Sequence, residues 1–280
     1  MNKSTSLPMN VSKLIKSGYE LAGDNLSVEE LEIWYSQEKE AYFSQNNSNG
    51  EFDHWYNYMR FTNSKLFFSL INNIQGQAIF FGPGAGHEVS PFSYLFPKWK
   101  LNLIEASDNF RYQLSSKFPD ANIIEPQITG SLDFKDSSID MVCAFCVLHH
   151  IANISYAFSE ISRVLKPGAY FFLREPCAFM GDWTKARKST PNERGLSSKY
   201  VQQVACKNNL SIVKKIPIVY EPINKIIISK LNPGTNINFN LLYYLDRLIS
   251  SLLSVNDHYW RDSLIKKIGP SSYSYILQKK

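Results

Sequence analysis

The stretch QAIFFGPGAGHEV, residues 77–89, decides how this chain is read. An apolar run ends in a turn that packs Gly82, Gly84 and Gly86 into five positions, and HEVSPFSYLF (87–96) then takes up a helical pattern. Glycines at a strand-to-helix turn let a ligand approach the main chain. Three readings compete at this point. A phosphate-binding loop would end in Gly-Lys-Ser/Thr, and His87-Glu88 does not. A G-x-G-x-x-G dinucleotide fingerprint would need glycine where His87 stands. A plain tight turn without a ligand uses the same residues.

Downstream of residue 77, short apolar runs alternate with amphipathic segments. Strands are expected at 77–81, 100–106 (KLNLIEA), 121–126 (ANIIEP), 139–148 (IDMVCAFCVL) and 169–175 (AYFFLRE). A helix over 154–165 (ISYAFSEISRVL) stops at Lys166-Pro167-Gly168. A helix at about 198–209, a strand in SIVKKIPIVYEP, a helix over 239–255 and an antiparallel strand in the final YSYILQK complete the pattern. Strands apolar throughout and separated by helices predict an α/β, doubly wound, mostly parallel sheet covered on both faces. Residues 1–76 read as an N-terminal helical cap, with Ser27-Val28-Glu29-Glu30 at capping-box spacing. Its aromatics, including Trp34, Tyr35, Tyr42, Trp55, Tyr56 and Tyr58, either pack on the core or close over a ligand. The core is expected over 77–222 with a polar lid at 176–196, and a helical addition with the final strand over 223–280.

The chain has 280 residues, of which 44% are hydrophobic and 20% charged, with a formal net charge of +5. That balance is too mild for a nucleic-acid binder, whose affinity comes from neutralising many phosphates, though it would help steer an anionic small molecule or a membrane surface. MNKSTSLPMN has no apolar signal region, and no run approaches the roughly 18–20 apolar residues of a spanning helix, so stable membrane insertion is not expected. The leucine-rich 239–255 helix is expected on the core or on a partner subunit of a homodimer, with membrane contact the minor alternative. Cys143, Cys146, Cys177 and Cys206 suit reduced thiols in a cytoplasmic protein. Cys143 and Cys146 stand three apart in a strand, hence on opposite faces. Cys146, His149 and His150 lack a fourth ligand, so no metal is expected.

Glu105 shifts the balance at the glycine loop. It closes the buried-looking run LNLIEAS at a strand's carboxyl end, where open parallel sheets bind ligands and a carboxylate accepts hydrogen bonds from both ribose hydroxyls. FKDSSIDMVCAFCVLHHI (134–151) and SEISRVLKPGAYFFLREP (159–176) then resemble class I S-adenosylmethionine-dependent methyltransferases, closest to the small-molecule branch with an LHHI…RVLKPGG signature. The resemblance covers about residues 77–176 and implies the Rossmann-like methyltransferase fold and S-adenosyl-L-methionine as cofactor. It implies that Gly82, Pro83, Gly84 and Gly86 pass under the methionine and ribose, that Glu105 holds the ribose, and that Ala106 or Ser107 lies near adenine. Cys146, Val147 and His149 would sit beside the sulfonium, and Arg174 and Glu175 would face the acceptor. Two departures stand out: Phe80 replaces the usual acid before the first glycine, with Glu88 as its substitute, and QITGSLDF has no acid before Asp133, leaving adenine to backbone groups around Thr129–Leu132.

A hydroxyl acceptor needs its proton removed, and His149, His150 and Glu175 are the candidates; His149 is preferred with Glu175, and His150 is read as structural. Trp183, Arg187 and Arg194 in the polar stretch 176–195 are candidate acceptor contacts, the arginines for phosphate or carboxylate. The expected activity is methyl transfer to a hydroxyl of a small molecule or glycan. The alternatives are transfer to nitrogen or carbon of another metabolite, or a non-catalytic binding protein of this fold.

Overall fold

The computed structural model describes residues 12–45, 54–67, 70, 75–179, 192, 194–223 and 237–280. Its strands are β1 (Gln77–Phe81), β2 (Lys100–Ile104), β3 (Asn122–Ile124), β4 (Ile139–Phe145), β5 (Leu165–Pro176), β6 (Leu210–Ile218) and β7 (Ser272–Lys279). They form one sheet in the order β3-β2-β1-β4-β5-β7-β6. β1 runs parallel to β2 and β4, β2 to β3, and β4 to β5, while β7 is antiparallel to both β5 and β6. The order reverses between β2 and β4 on either side of β1, which opens a crevice at the carboxyl ends of those strands.

The helices are α1 (Lys13–Ser17), α2 (Val28–Gln45), α3 (His54–Phe67), α4 (Val89–Leu95), α5 (Asp108–Lys117), α6 (Ile154–Val164), α7 (Ser198–Lys207), α8 (Glu221–Ile223), α9 (Phe239–Leu253) and α10 (Leu264–Lys267). Strand alternation divides the core into two layers. Ile79, Val142 and Phe171 face Phe158, Ile161 and Val164 of α6 and Val204 of α7. Ala78, Phe80, Met141 and Phe172 share the other layer with Phe92 of α4 and Leu114 of α5. In α6 the apolar residues recur every three or four positions, and full burial of Phe158 alone contributes about 1.5–3 kcal/mol. The expected capping box forms: Ser27 N donates to Glu30 Oε2 at 2.9 Å, and Glu30 N donates to Ser27 Oγ at 3.3 Å.

Three elements differ from their sequence expectation. β4 ends at Phe145 rather than 148, because Cys146 turns to φ +55° and Leu148–His150 form a single 3₁₀ turn. β5 starts at Leu165, and the Pro167-Gly168 turn lies inside it, where the β4 pairing slips between Ile139 and Met141. α5 has no apolar stripe to announce it; Leu114 is its one buried residue, and Ser107 capping Phe110 N is its sequence signal.

Candidate active site

The crevice continues into a cavity of about 320 Å³ whose inner wall is built from the strand ends and whose outer wall is α2. Inside lie Phe81, Gly82, Glu105, Ala106, Leu132 and Val147; outside lie Leu31, Trp34, Tyr35 and Glu38. Those four outer residues stand at i, i+3, i+4 and i+7, one face of a helix. The spacing was visible in the sequence, but nothing in it distinguished a ligand-facing side from a core-facing one.

The glycine loop works by packing as much as by ligand approach. Gly82 has φ +51°, and a Cβ there would stand 2.3 Å from Val147 Cγ2. A side chain at Gly82 would therefore collide with the strand-end loop that carries the two histidines. Gly82 N donates to Ile104 O, and Gly86 N closes the turn onto Pro83 O, both at 2.8 Å. Gly84 N reaches Glu105 Oε2 at 2.9 Å, and Ser107 N reaches Oε1 at 2.9 Å. Each oxygen of a carboxylate has two lone-pair sites, so a carboxylate bound in this way still has room for a further donor. Burial holds Glu105 above the ordinary carboxylate range, against the opposing pull of the Ser107 and Gly84 N–H groups.

Leu132 lines the cavity. Its N–H is taken by Glu160 Oε2 and its carbonyl by Arg163, both pairs near 2.8–2.9 Å, so its main chain has no spare donor for adenine, contrary to expectation. Asp133, by contrast, borders the cavity. Tyr35 on α2 buries a hydroxyl with no hydrogen-bond partner, in the field of Glu125, Arg111 and Glu105. A carboxylate with room for a further donor, an orphaned phenol and an acid bordering an otherwise apolar slot fit an adenosyl group, which brings hydroxyls, ring nitrogens and a flat apolar face.

The two histidines lie differently from their sequence reading. His149 and Glu175 are buried and do not border the cavity. Glu175 accepts N–H bonds from Val147 and Leu148 at 3.0 and 2.8 Å, and its other oxygen meets His149 Nδ1 at 2.6 Å. It is the anchor of the 3₁₀ turn. His150, expected to be structural, borders the cavity, and its Nδ1 lies 2.9 Å from Glu38 Oε2. The rings of His149 and His150 stack with centroids 4.0 Å apart.

Arg194 is a second correction. Expected at the acceptor, it is fully buried, stacked on Trp34 at 4.9 Å, and donates to the carbonyls of His149 and Ile151. Trp34 Nε1 donates to His150 O at 2.7 Å. These donors fix all three carbonyls from 149 to 151. Trp183 and Arg187 lie outside the described residues, as does most of the expected lid.

Arg174, Cys146 and Glu88 gather in a second polar cluster and do not line the cavity. Arg174 is buried; its Nε donates to Asn63 Oδ1 at 2.7 Å, and its Nη1 lies 3.1 Å from Met59 Sδ and 3.0 Å from Cys146 Sγ. Asn63 Nδ2 has no partner. Glu88 is held above the usual carboxylate range by burial, with Arg174 opposing, and burial pushes the Cys146 thiol up to about 11. Among the described residues no cluster of His, Cys, Asp or Glu forms a metal site.

Residues 80–173 match the family model of a methyltransferase domain. No curated protein matches the chain in sequence. Among solved structures, the chain is similar to a SAM-dependent methyltransferase from Thermotoga maritima, with a TM-score of 0.55, 15% identity, and coverage of 88% of this chain and 100% of that one. It is also similar to a SAM-dependent methyltransferase from Leishmania major, with a TM-score of 0.56, 11% identity, and coverage of 88% and 83%. A phosphoethanolamine N-methyltransferase from Haemonchus contortus gives a TM-score of 0.51, 14% identity, and coverage of 79% and 52%. At these identities the likeness carries the fold alone, and the family model speaks for residues 80–173. With the glycine loop, Glu105 and the switch-point cavity in place, the chain carries a class I S-adenosylmethionine-dependent methyltransferase domain.

Proposed function

We propose that this enzyme transfers a methyl group to a hydroxyl of a small molecule or glycan, with His150 taking the hydroxyl proton. The observation that supports this reading is the Glu38–His150 pair on the cavity wall. A carboxylate on Nδ1 selects the tautomer whose lone pair is on Nε2, the form a general base needs. His149, anchored by Glu175, backs the ring of His150 and sets its orientation. Glu105 would hold the cofactor's ribose, Tyr35 and Asp133 its adenosine end, and Arg174 with Asn63 an anionic group at the far end. S-adenosylmethionine, when bound, supplies an activated methyl on sulfur. The chain's own contribution is then alignment, which is worth about 7–11 kcal/mol where the attack geometry is held.

Titration calorimetry with S-adenosylmethionine and S-adenosylhomocysteine, followed by a screen of hydroxylated small molecules and sugars with methyl-labelled donor, tests this reading. His150→Ala should reduce turnover of the accepted compound by about 10²–10⁴ while leaving S-adenosylhomocysteine affinity within a few-fold. Unchanged turnover, or acceptance of amines and no hydroxyls, removes the base assignment and the acceptor class.

A further inference from the structure

α9 carries its polar residues inward and its leucines outward. Asp246 and Ser250 are fully buried; the carboxylate accepts from Tyr58 Oη at 2.6 Å, Val219 N at 3.0 Å, Tyr220 N at 2.8 Å and Ser250 Oγ at 3.1 Å. Those bonds fix which side of the helix faces the protein. The other side presents Leu241, Leu245, Leu248 and Leu252, exposed by 68, 43, 59 and 66%. Steps of four, three and four place them on one stripe. Tyr244 flanks the stripe, and Val255 prolongs it. Asn256 Nδ2 donates to the carbonyls of Ile265 and Ile268, both at 2.6 Å, and so ties α10 to the end of α9. α10 adds Leu264 and Ile265, exposed by 82 and 74%, with Ile268 beside them. A monomer rarely leaves so continuous an apolar surface in water without a use for it.

The charges around this surface choose its occupant. α9 has one acid, Asp246, and it is buried. Asp257 turns inward to Ser198 and Lys215, and Asp262 pairs with Lys266 at 2.8 Å. Lys267 is exposed, and neither it, Arg247, which lies over the Tyr243 ring, nor Arg261, which donates to the carbonyls of His258 and Pro270, forms an ion pair among the described residues. The border is therefore cationic. A second copy of this face would oppose like charges, whereas an anionic bilayer complements them. Val255 and Leu264 project almost fully into solvent, as side chains entering an acyl layer would and those in a flat protein seam would not. At 15 residues α9 is about 22 Å long, too short to cross a bilayer core of roughly 30 Å, so it would lie in the plane of the interface. The position is also informative. Ile218 and Pro176 both register with Ser272, so Val219 and Tyr220, which Asp246 holds, belong to the carboxyl edge of the sheet, the edge that opens on the cofactor cavity.

We propose that the outer face of α9 and α10 docks this enzyme peripherally on an anionic phospholipid bilayer. Vesicle co-sedimentation of the full chain tests it, with phosphatidylcholine vesicles against the same vesicles containing phosphatidylglycerol. The protein should pellet with the anionic vesicles and be released by high salt. L248E/L252E should lower partitioning at least tenfold, since each buried leucine is worth that order. K267E should lower it by about fivefold or more. Both variants should bind S-adenosylhomocysteine as the wild type does, which certifies their fold; K267E, at an exposed position, keeps the test decisive should the leucine variant misfold. A wild type that stays in the supernatant with every vesicle overturns the proposal. So does unaltered partitioning of correctly folded variants, or a stable dimer in sedimentation velocity that L248E/L252E dissociates.

Discussion

Glu105 is 3% exposed, and each of its oxygens already holds one main-chain N–H. Burial raises its pKa above the ordinary glutamate value of 4.5, and two opposite pH dependences follow. In the folded apo protein the proton is held more tightly than in the unfolded chain. Stability should therefore fall as pH rises from the unfolded value through the raised folded value, then level off. Cofactor binding runs the other way, because ribose hydroxyls need the ionised acceptor. S-adenosylhomocysteine affinity, followed by calorimetry, should weaken on acidification with a midpoint above 4.5. Glu105→Gln should remove that dependence and bind roughly 10–100-fold more weakly at neutral pH, the loss of charge-assisted hydrogen bonds. A variant with the wild-type pH profile would take Glu105 out of the binding site. This residue was legible from sequence because strand, loop and carboxylate occur in fixed order. His150 was not, since adjacent histidines in LHHI look alike until one ring is turned to Glu175 and the other to Glu38, a partner 112 residues away.

At the scale of elements, α2 is the part that a reading of the sequence underestimates. Its capping box is local and was readable; its role as a cavity wall depends on long-range bonds from Trp34 to His150 O and from Glu38 to His150 and Asn192 N. The path into α2 depends on Gly23, at φ +75°, where a Cβ would lie 2.5 Å from the Trp34 ring. Gly23→Ala should therefore cost two separable amounts: about 1 kcal/mol for a left-handed alanine, and a further steric amount from pushing Trp34 off its seat. The two separate in a double-mutant cycle. In a Trp34→Ala background the steric part vanishes, and Gly23→Ala should cost only the backbone amount, measured by urea unfolding. Strict additivity of the two substitutions would show that the indole does not set this turn. The same logic explains the missed α5, whose stability comes from a Ser107 cap and the loop it packs on rather than from an apolar stripe.

For the whole molecule, the sequence carried the parallel half of the sheet well, because strands buried on both faces have to be apolar throughout. The antiparallel end was less visible. Only the finished sheet shows the last strand inserted between β5 and β6, with α9 seated beside them on a buried aspartate. The cavity thus lies between two unequal walls, a sheet whose strands share long ladders and a single helix joined by a few side-chain bonds. Cofactor binding should act mainly on the weaker wall, since local opening there is the cheaper fluctuation and a ligand bridging both walls suppresses it. Hydrogen exchange followed by mass spectrometry, with and without saturating S-adenosylhomocysteine, should show marked slowing in α2 and in the 147–152 turn, little change in β4, and none in β6, β7 or α9. Equal slowing in β6 and β7 would mean that the ligand stabilises the fold globally and that α2 is no separate gate. No slowing in α2 would place the bound adenosyl group against the sheet alone, leaving Trp34, Tyr35 and Glu38 as ordinary packing.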